Sequence, residues 1–381
     1  MIPLAVPNLT GREAEYLQEC VTSTFVSSVG PFVSRLERDV SAAAGAAGAV
    51  AVNSGTAGLH LALRTVGVGP GDLVAMPSFT FVASANAVSY CGAQPWLFDG
   101  TETSWTIDAE QLASTLKRRL TAGPDGAIDR ISGRRLAAVM PVHALGHPAD
   151  MAPLVELAAA YDVPVVADAA AALGADYRGR PIGQTGAALS VLSFNGNKTV
   201  TAGGGGAVVS SDESLLERAR HLSATARRGP GYDHDEVGFN YRLTNVQAAV
   251  GCAQVEQLDR FVATKRQIHD FYRDHLDDLP GVRSFPIAQW AQSACWFSGV
   301  VLDGHDPNEV DRLRDNLRER GVDARPFWKP MHRQRPYSSA MCEPQNVTDQ
   351  VWPRIVPLPC STGITDEELR LVVTAVRESF S

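Results

Sequence analysis

Three short segments carry side chains whose types and spacing could do chemistry. The first is Asn53, Ser54, Gly55, Thr56, set between a short apolar run and an amphipathic one. A strand feeding a helix there would present free backbone amides, a close-approach glycine and hydroxyl donors, which together bind an anion. The same residues would also serve as an ordinary helix N-cap. The second is Asp168, which ends the apolar run 163–167 and precedes four alanines. A carboxylate at the end of a buried strand needs a partner, because a bare buried charge is costly. A protonated ring nitrogen would be such a partner; a helix cap or a structural ion pair would be another. The third is Lys198, in LSFNGNK just before the glycine run 203–206. Glycines let the backbone crowd a bound group, and a lysine with a lowered pKa is a nucleophile. A solvated loop lysine remains the alternative. The glycine run lacks the G-x-G-x-x-G spacing of a dinucleotide site.

Read in chain order, the three give an anion cradle, a counter-charge and an amine. Those are the requirements of pyridoxal phosphate (PLP): phosphate, ring nitrogen and aldehyde.

The elements that must position these residues follow from periodicity. Helical patterns are expected over 11–22, 32–44, from about 56 (Leu59, Ala62, Leu63 and Val66 on one face), 81–88 and 151–161. Apolar strand-like runs fall at 50–52, 73–76, 94–98, 136–141, 163–167, 189–194 and 206–210. The polar stretch 121–135 reads as a surface loop. This alternation implies a mostly parallel sheet covered by helices, with sites at the carboxyl ends of its strands. After about residue 255 the pattern changes. A long charged helical segment, 254–278, is followed by a strand at 298–302, a helix at 307–320, a Pro/aromatic stretch at 325–337 and a closing helix at 365–380. The last opens on Thr365 and Glu368 in capping-box spacing. The expected division is a large domain, 1–255, and a smaller α+β domain, 256–381.

Composition narrows the partners. The 381 residues are 45% hydrophobic and 20% charged, with a net charge of −8 and a pI near 5.6. That excludes a broad basic field for nucleic acid or an anionic membrane. No run reads as a signal peptide or a membrane span. Cysteines 20, 91, 252, 295, 342 and 360 are scattered, with no Cys-x-x-Cys pair. They read as free thiols in a reducing cytoplasm, with no metal framework.

The chain resembles the DegT/StrS sugar aminotransferases, a branch of the fold-type-I PLP enzymes, over nearly its whole length. The matching segments include AVNSGTAGLHLAL (51–63), PSFTFVASANAV (77–88), PVHALGHPADM (141–151), VVADAAAALGADYRGRPIG (165–183), LSFNGNKTVTAGGGGAVV (192–209), YDHDEVGFNYR (232–242) and RPFWKPMH (325–332). The resemblance implies an α/β fold like that of aspartate aminotransferase. It implies PLP bonded to Lys198, with Asp168 pairing its ring nitrogen and Phe81 lying against its ring. Ser54, Gly55, Thr56 and Ser193 would bind the phosphate. Asn240 would reach the phosphate of a neighbouring subunit, which makes a homodimer with shared sites. Arg242, Trp328 and His332 would contact the substrate. His332 and Trp328 could equally be packing residues.

Glutamate is the implied amino donor. SFNGNK, YDHDEVGFNYR and RPFWKPMH look most like enzymes that aminate carbon 4 of UDP-linked 4-keto-6-deoxy-N-acetylhexosamines. Arg227, Arg228 and Arg242 are candidate cations for the diphosphate, with a solvated pair at 227–228 as the alternative. A different keto-sugar or cyclitol acceptor, and a PLP-binding regulator without turnover, are the other readings. A dehydratase of this fold would carry histidine in place of Lys198. The chain departs from its relatives at Ala171, where they usually carry Gln, Glu or His, and at Ala167, where they usually carry Glu. Its all-glycine run at 203–206 replaces the more frequent Gly-Glu-Gly-Gly.

Overall fold

The computed structural model describes residues 1–123 and 126–380. Two four-stranded sheets form the larger body. In one, the strands run in the order Met341–Cys342, Gln94–Phe98, Leu73–Pro77, Leu136–Val139. In the other the order is Val166–Asp168, Leu189–Ser193, Gly206–Ser210, Gly48–Val52. Parallel bridges at Val139/Val165 and Val142/Asp168 join them edge to edge.

The expected parallel arrangement holds with one exception. The strand Gly206–Ser210 runs antiparallel to both neighbours. A parallel crossover needs a dozen or more residues, usually a helix. Helices Gly55–Thr65, Val82–Tyr90 and Met151–Ala159 supply such crossovers, whereas residues 194–205 hold none. The chain therefore returns beside the strand it has just left. This brings the start of Gly206–Ser210 to the edge where Val52, Asp168 and Ser193 end.

Helix Gly55–Thr65 is buried on more sides than its expected apolar face. Leu61 and His60 are buried along with Leu59, Ala62 and Leu63, because the helix lies under both Val82–Tyr90 and Glu213–Ser223. The segment 121–135 is not simply a loop. Leu120–Gly123 and Gly126–Asp129 pair as an antiparallel ribbon, stabilised at its base by Arg119, which donates to both carboxylate oxygens of Asp129. Alternation of small and apolar residues is too short there to stand out from a polar surface; residues 124–125 of that stretch lie outside the described residues. The helix expected over 254–278 begins later, as Leu258–Leu276; residues 254–255 end a separate helix, Asn245–Val255, not read from the sequence, with the break at Glu256 and Gln257.

A second body is built on the antiparallel strands Val282–Ser284, Ser298–Leu302 and Ile355–Leu358. Helices Leu258–Leu276, Pro307–Glu319 and Asp366–Glu378 cover it, with Tyr272, Val300, Leu313, Val356 and Val372 in one apolar cluster. The capping box read at Thr365 is formed in full. The chain's first residues also pack here. Ile2 N donates to Gly321 O at 2.7 Å and Cys360 N donates to Leu4 O at 2.8 Å. No helix is long and apolar enough to cross a membrane among the described residues, and all six cysteines are free.

Candidate active site

A cavity of about 460 Å³ opens between the two bodies, within the usual range for a small-molecule site. Its floor is the carboxyl edge of the sheet. Ser54, Gly55, Thr56, Phe81, Asp168, Ser193, Lys198 and Trp328 all line it. The three segments that could do chemistry, distant in sequence, thus meet in one space.

Ser54 caps the helix Gly55–Thr65, its Oγ accepting from Ala57 N at 3.1 Å. The first turn, at Gly55 and Thr56, faces the cavity with the positive end of the helix dipole. The approach of the backbone is close. A Cβ on Gly55 would lie 2.9 Å from Ser193 Cβ, and one on Gly206 would lie 2.5 Å from Leu192 O and 3.0 Å from Gly55 N. Glycine is needed at 206 because backbone fills the space a side chain would take. Three strand ends and a helix start thereby form one anion-sized cradle.

Asp168 is buried. Its Oδ2 accepts from Ser84 Oγ at 2.6 Å and its Oδ1 from Ala170 N at 3.1 Å. Burial pushes the carboxyl above its usual range, against the opposing effect of those two hydrogen bonds and of Lys198. A cation on the cavity side would restore the ionised form. Lys198 keeps part of its surface open to the cavity while its amine lies deep. Burial lowers its pKa to about 8, and Asp168 pulls in the other direction. The amine nitrogen is 3.5 Å from the ring centroid of Trp296. That ring is fixed by Nε1 donating to Asn197 O at 2.6 Å. Its backbone oxygen accepts from the buried Lys265 Nζ at 3.0 Å.

The roof is aromatic. The Trp328 ring centroid lies 4.7 Å from that of Phe327, 5.8 Å from Trp296 and 6.0 Å from Phe81. Phe81 lines the cavity and is 54% exposed, so its ring can lie against a flat group. Arg325 at the mouth joins Lys198 as a cationic lining side chain and pairs with Asp323. The residues fit PLP: an anion cradle at one end, a buried carboxylate at the floor and a low-pKa amine between them.

Other residues singled out in the sequence lie elsewhere. His332 is held by Ser78 Oγ at 2.6 Å from Nδ1 and by Asp349 at 2.9 Å from Nε2, and it is not among the lining residues. Arg242 pairs with Glu37 at 2.8 Å. Arg228 pairs with Asp235 at 3.3 Å, and Arg227 donates to Gly231 O at 2.6 Å. Asn240 is exposed, with its carbonyl accepting from Asn53 Nδ2 at 3.3 Å. None of these four lines the cavity within one chain. Sequence reasoning passed over His143, Asn195, Asn197, Trp296 and Phe297, which do line it. His143 stood in a quoted segment, PVHALGH; Trp296 had no sequence signal beyond its type.

The DegT/DnrJ/EryC1/StrS aminotransferase family matches residues 7–377. The chain is 37% identical to a Bacillus subtilis protein named as a pyridoxal phosphate-dependent aminotransferase, EpsN, over 100% of this chain and 96% of that one. It is 35% identical to GDP-perosamine synthase of Caulobacter vibrioides, over 98% and 97%. Among solved structures, DesV of S. venezuelae, in complex with a ketimine intermediate, superposes with a TM-score of 0.84 at 32% identity, covering 98% of each chain.

Proposed function

The chain belongs to the DegT/DnrJ/EryC1/StrS aminotransferase family as a PLP-dependent aminotransferase of nucleotide-linked keto sugars, and on that premise we propose which residues run the reaction and what they accept. The observation that carries the assignment is the meeting of Lys198, Asp168 and the Ser54 to Thr56 turn in one cavity.

When bound, PLP supplies an aldehyde that takes up the amino group and a ring that accepts an electron pair. Lys198 Nζ is the amine that would hold that aldehyde, with L-glutamate as the amino donor that would take its place. The Lys198 amine would then serve as general base toward the donor's α-carbon and as general acid afterwards. Burial lowers the Lys198 pKa from the usual lysine range, which favours an amine able to act as a base. Asp168 holds the proton on the ring nitrogen, and Ser84 and Ala170 keep its carboxylate in place. Gly55, Thr56, Ser54 and Ser193 hold the phosphate, and Phe81 covers one ring face. The aromatic roof excludes water, and Arg325 offers a cation to an anionic substrate group. The sheet body, which includes the strand Met341–Cys342 from beyond the expected boundary at 255, would carry the cofactor, and the second body lines the cavity with Trp296, Phe297 and Trp328.

The working unit is proposed as a homodimer in the cytoplasm. Asn240 and Arg242, which do not reach the cavity of their own chain, would then serve the site of the other. The free cysteines fit a reducing compartment.

For the acceptor, a keto sugar aminated at carbon 4, two readings stand on different observations. The name of a 35%-identical relative specifies a GDP-linked product, which favours GDP. The segments SFNGNK, YDHDEVGFNYR and RPFWKPMH favour a UDP-linked 4-keto-6-deoxy-N-acetylhexosamine. Competition separates them. GDP-, UDP- and TDP-sugars are tested for protecting the cofactor's visible absorbance from L-glutamate. Selective protection by GDP-sugars supports the first reading and by UDP-N-acetylhexosamines the second. Equal protection by all three overturns both.

A further inference from the structure

His143 occupies a position in this cavity that the assigned roles leave unused. It leaves the sheet beside Asp168: Val142 bridges to Asp168 in parallel, and His143 N donates to Asp168 O at 2.9 Å. The side chain is 1% exposed and lines the cavity. Its Nδ1 accepts from Ala149 N at 3.1 Å, so in the neutral ring the proton sits on Nε2. Burial, with His147 adding to it, keeps the ring neutral by lowering its pKa to about 3. Nε2 is itself buried and has no partner among the described residues. Buried N–H groups rarely stay unpaired, since removal from water without a partner is costly. The neighbours around Asp168 on the cavity wall, Val142, Ala170, Ala171 and Ala83, offer no side-chain hydrogen bond.

The strand order says which part of the cofactor this donor meets. The phosphate cradle is built on Leu189–Ser193, Gly206–Ser210 and Gly48–Val52, all on one side of the strand ending at Asp168. His143 follows Leu136–Val139, on the other side. Neighbouring strands lie about 4.8 Å apart. In PLP the phosphate arm and the C3 oxygen leave the ring on opposite edges. With the phosphate on its cradle and the ring nitrogen at Asp168, the C3 oxygen would face the His143 side.

We propose that His143 donates its Nε2 proton to the C3 oxygen of the cofactor and is thereby a positioning residue for its ring, in a wall where Ala171 offers no donor. The proposal rests on the assignment of Asp168 and Lys198. A donor there draws negative charge from the oxygen and so weakens its hold on the proton it shares with the Lys198 nitrogen. The titratable groups facing this region are Asp168, Lys198, Arg325 at the mouth and His147 behind the ring.

The test titrates the visible absorbance of the holoenzyme. His143→Phe should raise the midpoint by about one pH unit or more, a tenfold tighter hold on the shared proton. His143→Gln, which keeps a donor, should stay near the wild type, and adding Ala171→Gln to His143→Phe should move the midpoint back. A folded His143→Phe with an unmoved midpoint would overturn the proposal. If His143→Phe does not fold, wild-type apoprotein is titrated with pyridoxamine phosphate and with its analogue lacking the C3 hydroxyl. The analogue should bind at least about tenfold more weakly, and equal affinity would overturn the proposal. Failure of the underlying assignment shows separately, as a visible band that survives Lys198→Ala.

Discussion

The amine nitrogen of Lys198 lies 3.5 Å from the centroid of the Trp296 ring, so the face of an indole from the second body covers the amine of the first. A cation over an indole face gains about 0.5–2 kcal/mol, and this gain belongs to the protonated amine alone. Replacing the ring therefore lowers the pKa further. Trp296→Leu should shift the midpoint for labelling Lys198 in the apoprotein below that of the wild type, by roughly half to one pH unit. Mass spectrometry of the labelled peptide across pH reads this directly. An unchanged midpoint would mean the ring only packs.

Asp168→Asn should reduce turnover by at least about a hundredfold, because an amide cannot hold a proton on the ring nitrogen electrostatically. Ser84→Ala removes one of the two hydrogen bonds that fix Asp168 and should cost less, about tenfold. Single-turnover kinetics with L-glutamate ranks the two. Equal losses, or none for Asp168→Asn, would place the carboxylate outside the chemistry.

The chemistry was more legible in the sequence than the path of the chain. Lys198, Asp168 and the Ser54 turn stand out because lysine among glycines, aspartate after an apolar run and a hydroxyl-rich helix start are each unusual locally. His143 and Trp296 do not. The meaning of His143 depends on an Nδ1 bond to Ala149 and on the neighbouring strand; that of Trp296 depends on a lysine far away in the chain. The reversed direction of Gly206–Ser210 escaped for a similar reason. An apolar pattern reports burial and not polarity, and only the short connection before it gives a hint. Arg242 and His332 read as substrate contacts by motif, yet Glu37, Ser78 and Asp349 hold them within this chain.

Gly206 ties cofactor affinity to backbone packing. Its Cβ would stand 2.5 Å from Leu192 O and 3.0 Å from Gly55 N, so Gly206→Ala must push the cradle's strands apart. The variant should bind PLP at least about tenfold more weakly and lose a few kcal/mol of stability, in the range of overpacked sites. Equilibrium dialysis and thermal melts check both effects. Wild-type affinity would show that the cradle is not where the phosphate sits.

The proposed shared sites make a complementation prediction. Lys198→Ala and an inactive Asn240→Ala variant, mixed under subunit exchange, should regain activity in heterodimers. In these, one of the two sites has both residues intact. No recovery, with exchange confirmed by mass, would confine Asn240 to its own chain.

The most direct test of the account is the absorbance of holoprotein and of Lys198→Ala, each with and without L-glutamate. Wild-type protein should show a visible band that glutamate bleaches, with release of 2-oxoglutarate. Lys198→Ala should fold and still retain PLP through its phosphate. It should lack that band and release no 2-oxoglutarate at a catalytic rate. A Lys198→Ala protein that keeps the band and transaminates at the wild-type rate would contradict the account.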